Sequence, residues 1–307
     1  MGKTAFIFPG QGAQCVGMGQ EVIQNFEESK VVFDEAASVL DFDLAKVCFE
    51  ENDQIHQTEY TQPALLAVSV ALLKAVESIG VKPDVVAGLS LGEYSALVAN
   101  GAMEFKEAVT LVRKRGMYME QAAKNTKGSM AAVLRATKEA IHAVIEKVNG
   151  VLEIANYNNS QQIVISGEVM ALESSYRHFD EMGIKVVPLT VSGAFHSSLM
   201  SEASHKMEEE LQGVAFKDFT VPYVSNVTAG YVHNKGEVAP LLVEQVKASV
   251  RWEESVLEMI ACGVDTFIEI GPGNTLAGLI KKIDRKAKVY SVSDLASLEA
   301  LKSNLEA

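Results

Sequence analysis

The spacing of apolar residues along the chain switches repeatedly between a period near two and a period near 3.6, and each switch marks an element. Thr4 to Phe8 is a short apolar run of strand type, stopped by Pro9 and followed by a glycine-rich turn, Pro9 to Gly19. Apolar residues three and four apart predict helices over Val22 to Leu40 and Gln62 to Ile79, the second with Thr61 as N-cap and Pro63 in its first turn. A strand over Val85 to Ala87, a helix from Glu93 to Asn100 and an amphipathic helix over Phe105 to Ala123 come next. From Ser129 the texture changes. Strand Met130 to Leu134, helix Lys138 to Val148, strands Leu152 to Tyr157 and Gln162 to Ser166, helix Met170 to Met182 and strand Lys185 to Val191 follow in that order. A βαββαβ sequence of this kind is a split βαβ, or ferredoxin-like, unit, which can form a small sheet of its own. Strands over Pro222 to Ser225 and Thr266 to Ile270, the turn Gly271-Pro272-Gly273, a helix over Thr275 to Ile283 and a strand over Val289 to Val292 then return to a larger sheet. The expected class is α/β with a parallel sheet, a large domain over 1–124 and 193–307, and a small domain over 125–192 inserted in it.

Composition narrows the class without choosing a function. With 307 residues, 48% hydrophobic and 22% charged, the chain has the balance of a globular protein with a full core. No apolar run approaches membrane-spanning length, and the N-terminus enters a strand without a signal-peptide core, so a cytoplasmic protein is expected. Cys15, Cys48 and Cys262 are scattered, odd in number and lack CxxC spacing, which points to neither a disulfide framework nor a zinc site. The net charge of −13 argues against nucleic acid or an anionic membrane as partner.

The chemistry is concentrated where the apolar strand stops. Gly88-Leu89-Ser90-Leu91-Gly92 is a GxSxG pattern between a strand and a helix, the setting of a nucleophile elbow. The sharp turn lifts the serine hydroxyl clear, needs residues without Cβ on either side, and aims the following helix N-terminus at charge developing on an attacked carbonyl. GxSxG is a short pattern that also arises by chance, so its strand-to-helix context carries most of its weight. Two other glycine patterns lack their context: Gly2-Lys3-Thr4 has no preceding strand for a phosphate-binding loop, and Gly10-Gln11-Gly12 is followed by Cys15 where a dinucleotide fingerprint has its third glycine. The loop after the first strand instead offers a backbone amide, which with that of Leu91 would make an oxyanion hole. A serine needs a base, and of the six histidines His196 stands in a loop of small residues as the chain leaves the small domain. It reads equally as an exposed loop residue. No acid between Ser90 and His196 is marked out as a third member of a triad, which weakens a lipase-like reading.

Six segments carry a resemblance that reaches across nearly the whole chain: Phe8-Pro9-Gly10-Gln11-Gly12, Thr61-Gln62-Pro63-Ala64-Leu65, Gly88-Leu89-Ser90-Leu91-Gly92-Glu93-Tyr94, Arg113-Lys114-Arg115-Gly116, Ala194-Phe195-His196-Ser197 and Glu269-Ile270-Gly271-Pro272-Gly273. In this order they resemble the malonyl-CoA:acyl-carrier-protein transacylases. The resemblance implies a hydrolase-like α/β core with a ferredoxin-like insertion, and transfer of malonyl from coenzyme A to the phosphopantetheine thiol of acyl carrier protein. It implies Ser90 as the acylated nucleophile, His196 as its base, the amides of Gln11 and Leu91 as oxyanion donors and Arg115 as the group that binds the substrate carboxylate. It further implies that a backbone carbonyl near Val250-Arg251-Trp252 orients His196. Asn156, Asn158, Phe195, Val250 and Arg251 resemble residues of the cleft, and Phe195 fits a malonyl rather than a branched substrate. No cofactor or metal is expected, coenzyme A thioester being a substrate, and a monomer is expected. Lys281, Lys282, Arg285, Lys286 and Lys288 form the densest basic cluster, readable as cations favoured at a helix C-terminus or as a docking patch for the acidic carrier protein. Malonyl loading for polyketide synthesis, or a serine hydrolase of similar fold, are the competing activities.

Overall fold

The strands and helices are those of a computed structural model, which describes residues 2–306. The strands are β1 Lys3–Phe8, β2 Val85–Gly88, β3 Gly128–Leu134, β4 Leu152–Asn159, β5 Gln162–Glu168, β6 Lys185–Pro188, β7 Tyr223–Val224, β8 Tyr231–Val232, β9 Val264–Ile270 and β10 Lys288–Val292. The helices are α1 Gln20–Asn25, α2 Glu27–Ala37, α3 Leu44–Phe49, α4 Thr58–Ser78, α5 Gly92–Ala99, α6 Phe105–Thr126, α7 Lys138–Ile145, α8 Val169–Glu181, α9 Ser201–Leu211, α10 Val238–Gln245, α11 Trp252–Ala261, α12 Thr275–Ile283 and α13 Leu295–Glu306. The expected α/β class with a parallel sheet is present. Six strands in the order β10-β9-β1-β2-β7-β8 form one sheet, parallel except where β7 meets β8. Four strands in the order β4-β5-β3-β6 form a second sheet, antiparallel throughout.

Burial explains why the central strands read as uninterrupted apolar runs. Ala5 to Phe8 and Val85 to Ala87 are covered on both faces, one face by α4, α5 and α6 and the other by α11 and α12. Helix α4 is buried around almost its whole circumference, so its sequence lacks a polar face. The chain crosses between the sheets without a long linker. Val250 bridges to Asn156, with Tyr157 N donating to Val250 O at 2.9 Å and Val250 N to Ala155 O at 2.8 Å, which pins the small sheet against the large one.

Several boundaries differ from the sequence expectation. The helix expected over Val22 to Leu40 is two, α1 and α2, broken at Phe26, whose backbone is extended (φ −118°, ψ 119°). Helix α4 starts at Thr58, with Gln57 rather than Thr61 as N-cap, and Pro63 therefore lies inside it. Proline has no N–H for the carbonyl four residues back, and here that carbonyl, Glu59 O, accepts from Arg113 Nη1 at 2.8 Å instead. Strand β6 ends at Pro188 rather than running on to Val191. Met1 and Ala307, the outer limits of the expected large domain, lie outside the described residues.

Candidate active site

The site forms where β1 and β2, adjacent and parallel, reach their carboxyl ends, the place at which open α/β sheets bind ligands. Ser90 ends the run of β2 in the left-handed region (φ 54°), a conformation a non-glycine residue holds only when its surroundings impose it. Both flanking glycines are sterically required. A Cβ on Gly88 would lie 1.9 Å from the carbonyl carbon of Gly92, and one on Gly92 would lie 2.1 Å from Phe8 O. Asn226, just past β7, locks the turn from outside: Ser90 N donates to its Oδ1 at 2.6 Å and its Nδ2 donates to Gly88 O at 2.6 Å.

His196, also at positive φ (56°), is 5% exposed and closes on the serine, with Nε2 2.7 Å from Ser90 Oγ. Its Nδ1 lies 2.9 Å from the backbone carbonyl of Gln245. Since a carbonyl can only accept, Nδ1 carries the proton and Nε2 is free to accept the serine hydroxyl. Gln245 is the last residue of α10, where a helix leaves its carbonyls without intrahelical partners and at the negative end of its dipole. Burial, and then the positive charge of Arg115, push the His196 pKa down to about 4, so the imidazole is neutral near pH 7. The carbonyl therefore does not come from the segment Val250-Arg251-Trp252. Val250 O is already taken by Tyr157 N in the bridge between sheets, while Arg251 pairs with Glu254 and reaches the carbonyl of Thr228. Neither residue lines the cavity over Ser90, which corrects the expectation that they belong to the cleft.

Arg115 enters from α6, 1% exposed, with its guanidinium spread over three partners. Nη1 donates to Gln62 Oε1 at 2.8 Å, and Nη2 to Gln245 Oε1 at 2.9 Å and to Ser90 Oγ at 3.2 Å. The ring of Tyr94 lies 5.4 Å from the guanidinium carbon. Gln245 Nε2 in turn donates to Glu93 Oε2 at 2.7 Å and to Ser90 O at 2.9 Å. One residue thus orients the histidine through its main chain and the arginine through its side chain. Glu93 is fully buried, and burial raises its pKa to about 7 against the opposing effects of Gln245, Asn226 and Arg115.

A cavity of about 200 Å³ opens above these groups. Gln11 and Leu91 lie on its wall, and among the described residues the backbone N–H of neither donates to another group of the chain. Asn156, Asn158 and Phe195 also line it, as do Met119, Val164 and Leu279. Ser90, His196, Arg115, Gln11, Leu91, Asn156, Asn158 and Phe195 are therefore brought together, while the five-residue basic cluster lies outside the cavity. Gln62, Glu93, Asn226 and Gln245 were not singled out from the sequence. Gln62 and Glu93 sit inside the quoted motifs, whereas Asn226 and Gln245 have no local signal beyond a polar residue after an apolar stretch. A neutral buried histidine on a strained serine, beside unengaged amides and a buried cation, is an arrangement for acyl transfer from an anionic substrate.

Residues 5–306 match the acyl transferase domain family. The malonyl CoA-acyl carrier protein transacylase of Bacillus subtilis (strain 168) is 45% identical over 304 residues, covering 97% of this chain and 96% of that protein. Among solved structures, that of MCAT from Streptococcus pneumoniae is 48% identical with a TM-score of 0.94, covering 98% of this chain and all of the other. A type II PKS acyl-carrier protein in complex with its malonyl-transacylase gives a TM-score of 0.95 at 36% identity, covering 98% of this chain and 99% of that one. The similarity extends over both sheets and every segment that builds the site, so the chain belongs to the acyl transferase family as one of the malonyl CoA-acyl carrier protein transacylases.

Proposed function

We propose that this enzyme moves malonyl from malonyl-CoA to the phosphopantetheine thiol of acyl carrier protein through a malonyl ester on Ser90, supplying fatty acid synthesis. The observation that carries the reading is the shared Ser90 Oγ, held by His196 Nε2 at 2.7 Å and by the buried Arg115 at 3.2 Å, which supports His196 as the base and Arg115 as the carboxylate-binding cation of one nucleophile. In the first half-reaction Ser90 Oγ attacks the thioester carbonyl as its proton passes to His196 Nε2. The oxygen of the tetrahedral intermediate faces the amides of Gln11 and Leu91. The C–S bond then breaks and the coenzyme A thiolate takes the proton from His196. The carrier thiol enters by the reverse sequence, giving its proton to His196 and releasing Ser90 with its hydroxyl restored. Each oxyanion donor lowers the barrier by about 3 to 4 kcal/mol. Arg115 turns from Ser90 and Gln245 to hold the malonyl carboxylate by two parallel charge-assisted bonds. The chemistry balances on serine and histidine alone, which supports an enzyme without a resident cofactor.

The order β4-β5-β3-β6 with α7 and α8 supports a ferredoxin-like small domain over 125–192, and the elbow on a parallel sheet supports a hydrolase-like core over 1–124 and 193–307. That no helix among the described residues is long and apolar enough to cross a membrane agrees with a cytoplasmic enzyme, which we take to act as a monomer. The basic cluster divides in two. Lys281, Lys282 and Arg285 line one surface recess, and Lys286 and Lys288 lie outside it, exposed; we assign the latter pair to docking of the acidic carrier protein. Intact-mass measurement tests the central claim: incubation with malonyl-CoA adds one malonyl group to the wild type and none to Ser90→Ala, and a stable adduct on any other residue overturns the mechanism.

A further inference from the structure

We propose that a basic recess beside the catalytic cavity, lined by Arg135, Lys281, Lys282 and Arg285, binds the phosphate groups of coenzyme A. The assignment rests on the acyl-transfer reading of Ser90 and names where the far end of the thioester lies. The recess measures about 470 Å³ and forms between the end of α12 and the turns that follow β3 and β4, where Ser160 and Gln161 add a hydroxyl and an amide to its wall. No carboxylate lines it. Among the described residues none of the four cations takes part in an ion pair, although ion pairs are frequent elsewhere on the surface. Four like charges around one hollow repel each other, and they do so here in a chain whose net charge is −13.

Two features mark the recess as built. Arg135 holds a left-handed backbone (φ 56°) that a non-glycine residue rarely adopts, fixed by its N–H donating to Gln161 O at 3.0 Å. Lys281 Nζ donates to Ala287 O at 2.6 Å, which holds its ammonium near the end of α12 with further donors to spare. The recess also adjoins the cavity on two walls. Leu279 of α12 faces the cavity and Lys282, one turn further on, faces the recess; Gln162 lines the cavity and Gln161 the recess. Thr275 on the cavity wall and Lys282 are about 10 Å apart along the helix. A pantetheine arm leaving Ser90 along this wall runs from an apolar cavity to a cluster of donors matched to phosphate esters. Lys286 and Lys288, outside the recess, take no part.

The test compares malonyl-CoA with malonyl-pantetheine, which carries the same thioester and lacks the phosphates. Single-turnover acylation of Ser90, followed by intact mass across substrate concentration, is measured for the wild type and for the Arg135→Glu/Lys282→Glu double variant. The half-saturating malonyl-CoA concentration is expected to rise about tenfold or more in the variant, with that for malonyl-pantetheine changed less than twofold. Added salt should weaken wild-type use of malonyl-CoA and scarcely affect the variant. Equal losses on both thioesters would mean a structural role and overturn the assignment, as would unchanged kinetics on both. A loss confined to the carrier-protein half-reaction would overturn it in favour of protein docking. Failure of the wild type to acylate Ser90 from either thioester would instead remove the parent reading, and this one with it.

Discussion

Replacing Arg115 with alanine separates recognition of the malonyl carboxylate from acyl transfer as such. The guanidinium is buried, so a malonyl carboxylate in the variant would sit in a desolvated cavity without its cation. Loss of one partner from a buried ion pair costs about 3 to 5 kcal/mol, which corresponds to a fall in kcat/KM for malonyl of roughly a few hundred to a few thousand fold. A second cost falls on the protein itself. Gln62 Oε1 and Gln245 Oε1 both lose their donor, at about 1 to 3 kcal/mol for each acceptor that water does not reach. That cost is independent of the substrate, so acetyl transfer registers it without the loss of a carboxylate partner. Acetyl also gains, because no cation without a counter-ion opposes an apolar acyl group, whereas the release of His196 from the charge that helps to hold its pKa down acts on both substrates alike. Loading of carrier protein from malonyl-CoA and from acetyl-CoA, with circular dichroism as the check on folding, gives the ratio that matters. A malonyl-to-acetyl preference reduced at least a hundredfold is expected. Equal losses on the two substrates would show Arg115 to be a scaffold for Gln62 and Gln245, and the carboxylate assignment would be refuted.

Other consequences follow from single contacts. His196 stays neutral in the fold down to about pH 4 while its unfolded form is protonated below about 6.5, so it adds stability as pH rises across that window; Glu93, protonated in the fold up to about 7 and ionised when unfolded above about 4.5, removes stability as pH rises. The two oppose each other between about pH 4.5 and 6.5, so the melting temperature of Glu93→Gln should climb with pH relative to that of the wild type over this range; parallel curves would contradict the opposed titrations. Asn226→Ala removes two hydrogen bonds from the elbow, one buried and one half-buried, and should cost about 2 to 4 kcal/mol in urea denaturation, with a lowered acylation rate in the folded fraction. Gly88→Ala places a methyl 1.9 Å from the Gly92 carbonyl carbon, so a soluble variant with wild-type melting temperature and activity would show that the turn has more room than its backbone indicates.

What the sequence by itself determined was whatever a local requirement imposes. Ser90 was legible because a strained strand-to-helix turn tolerates no Cβ at Gly88 or Gly92, and the two sheets were legible because period-two and period-3.6 burial leave different patterns along the chain. Thr61 and Pro63 misplaced the start of α4 because their usual helix-opening role was overridden by tertiary contacts: Arg113, from a different helix, accepts the task of satisfying Glu59 O. The partner of His196 shows the limit most clearly. Every residue carries a backbone carbonyl, so nothing in the letters Gln245 distinguishes the one that meets the imidazole; it is chosen by where α10 ends, and α10 left no motif in the sequence reading. The same holds for Asn226, 136 positions from the serine it braces. Side-chain chemistry that recurs at fixed spacing can be read along a chain, whereas a main-chain acceptor or a distant brace becomes specific only through the distances that packing the helices against both sheets creates.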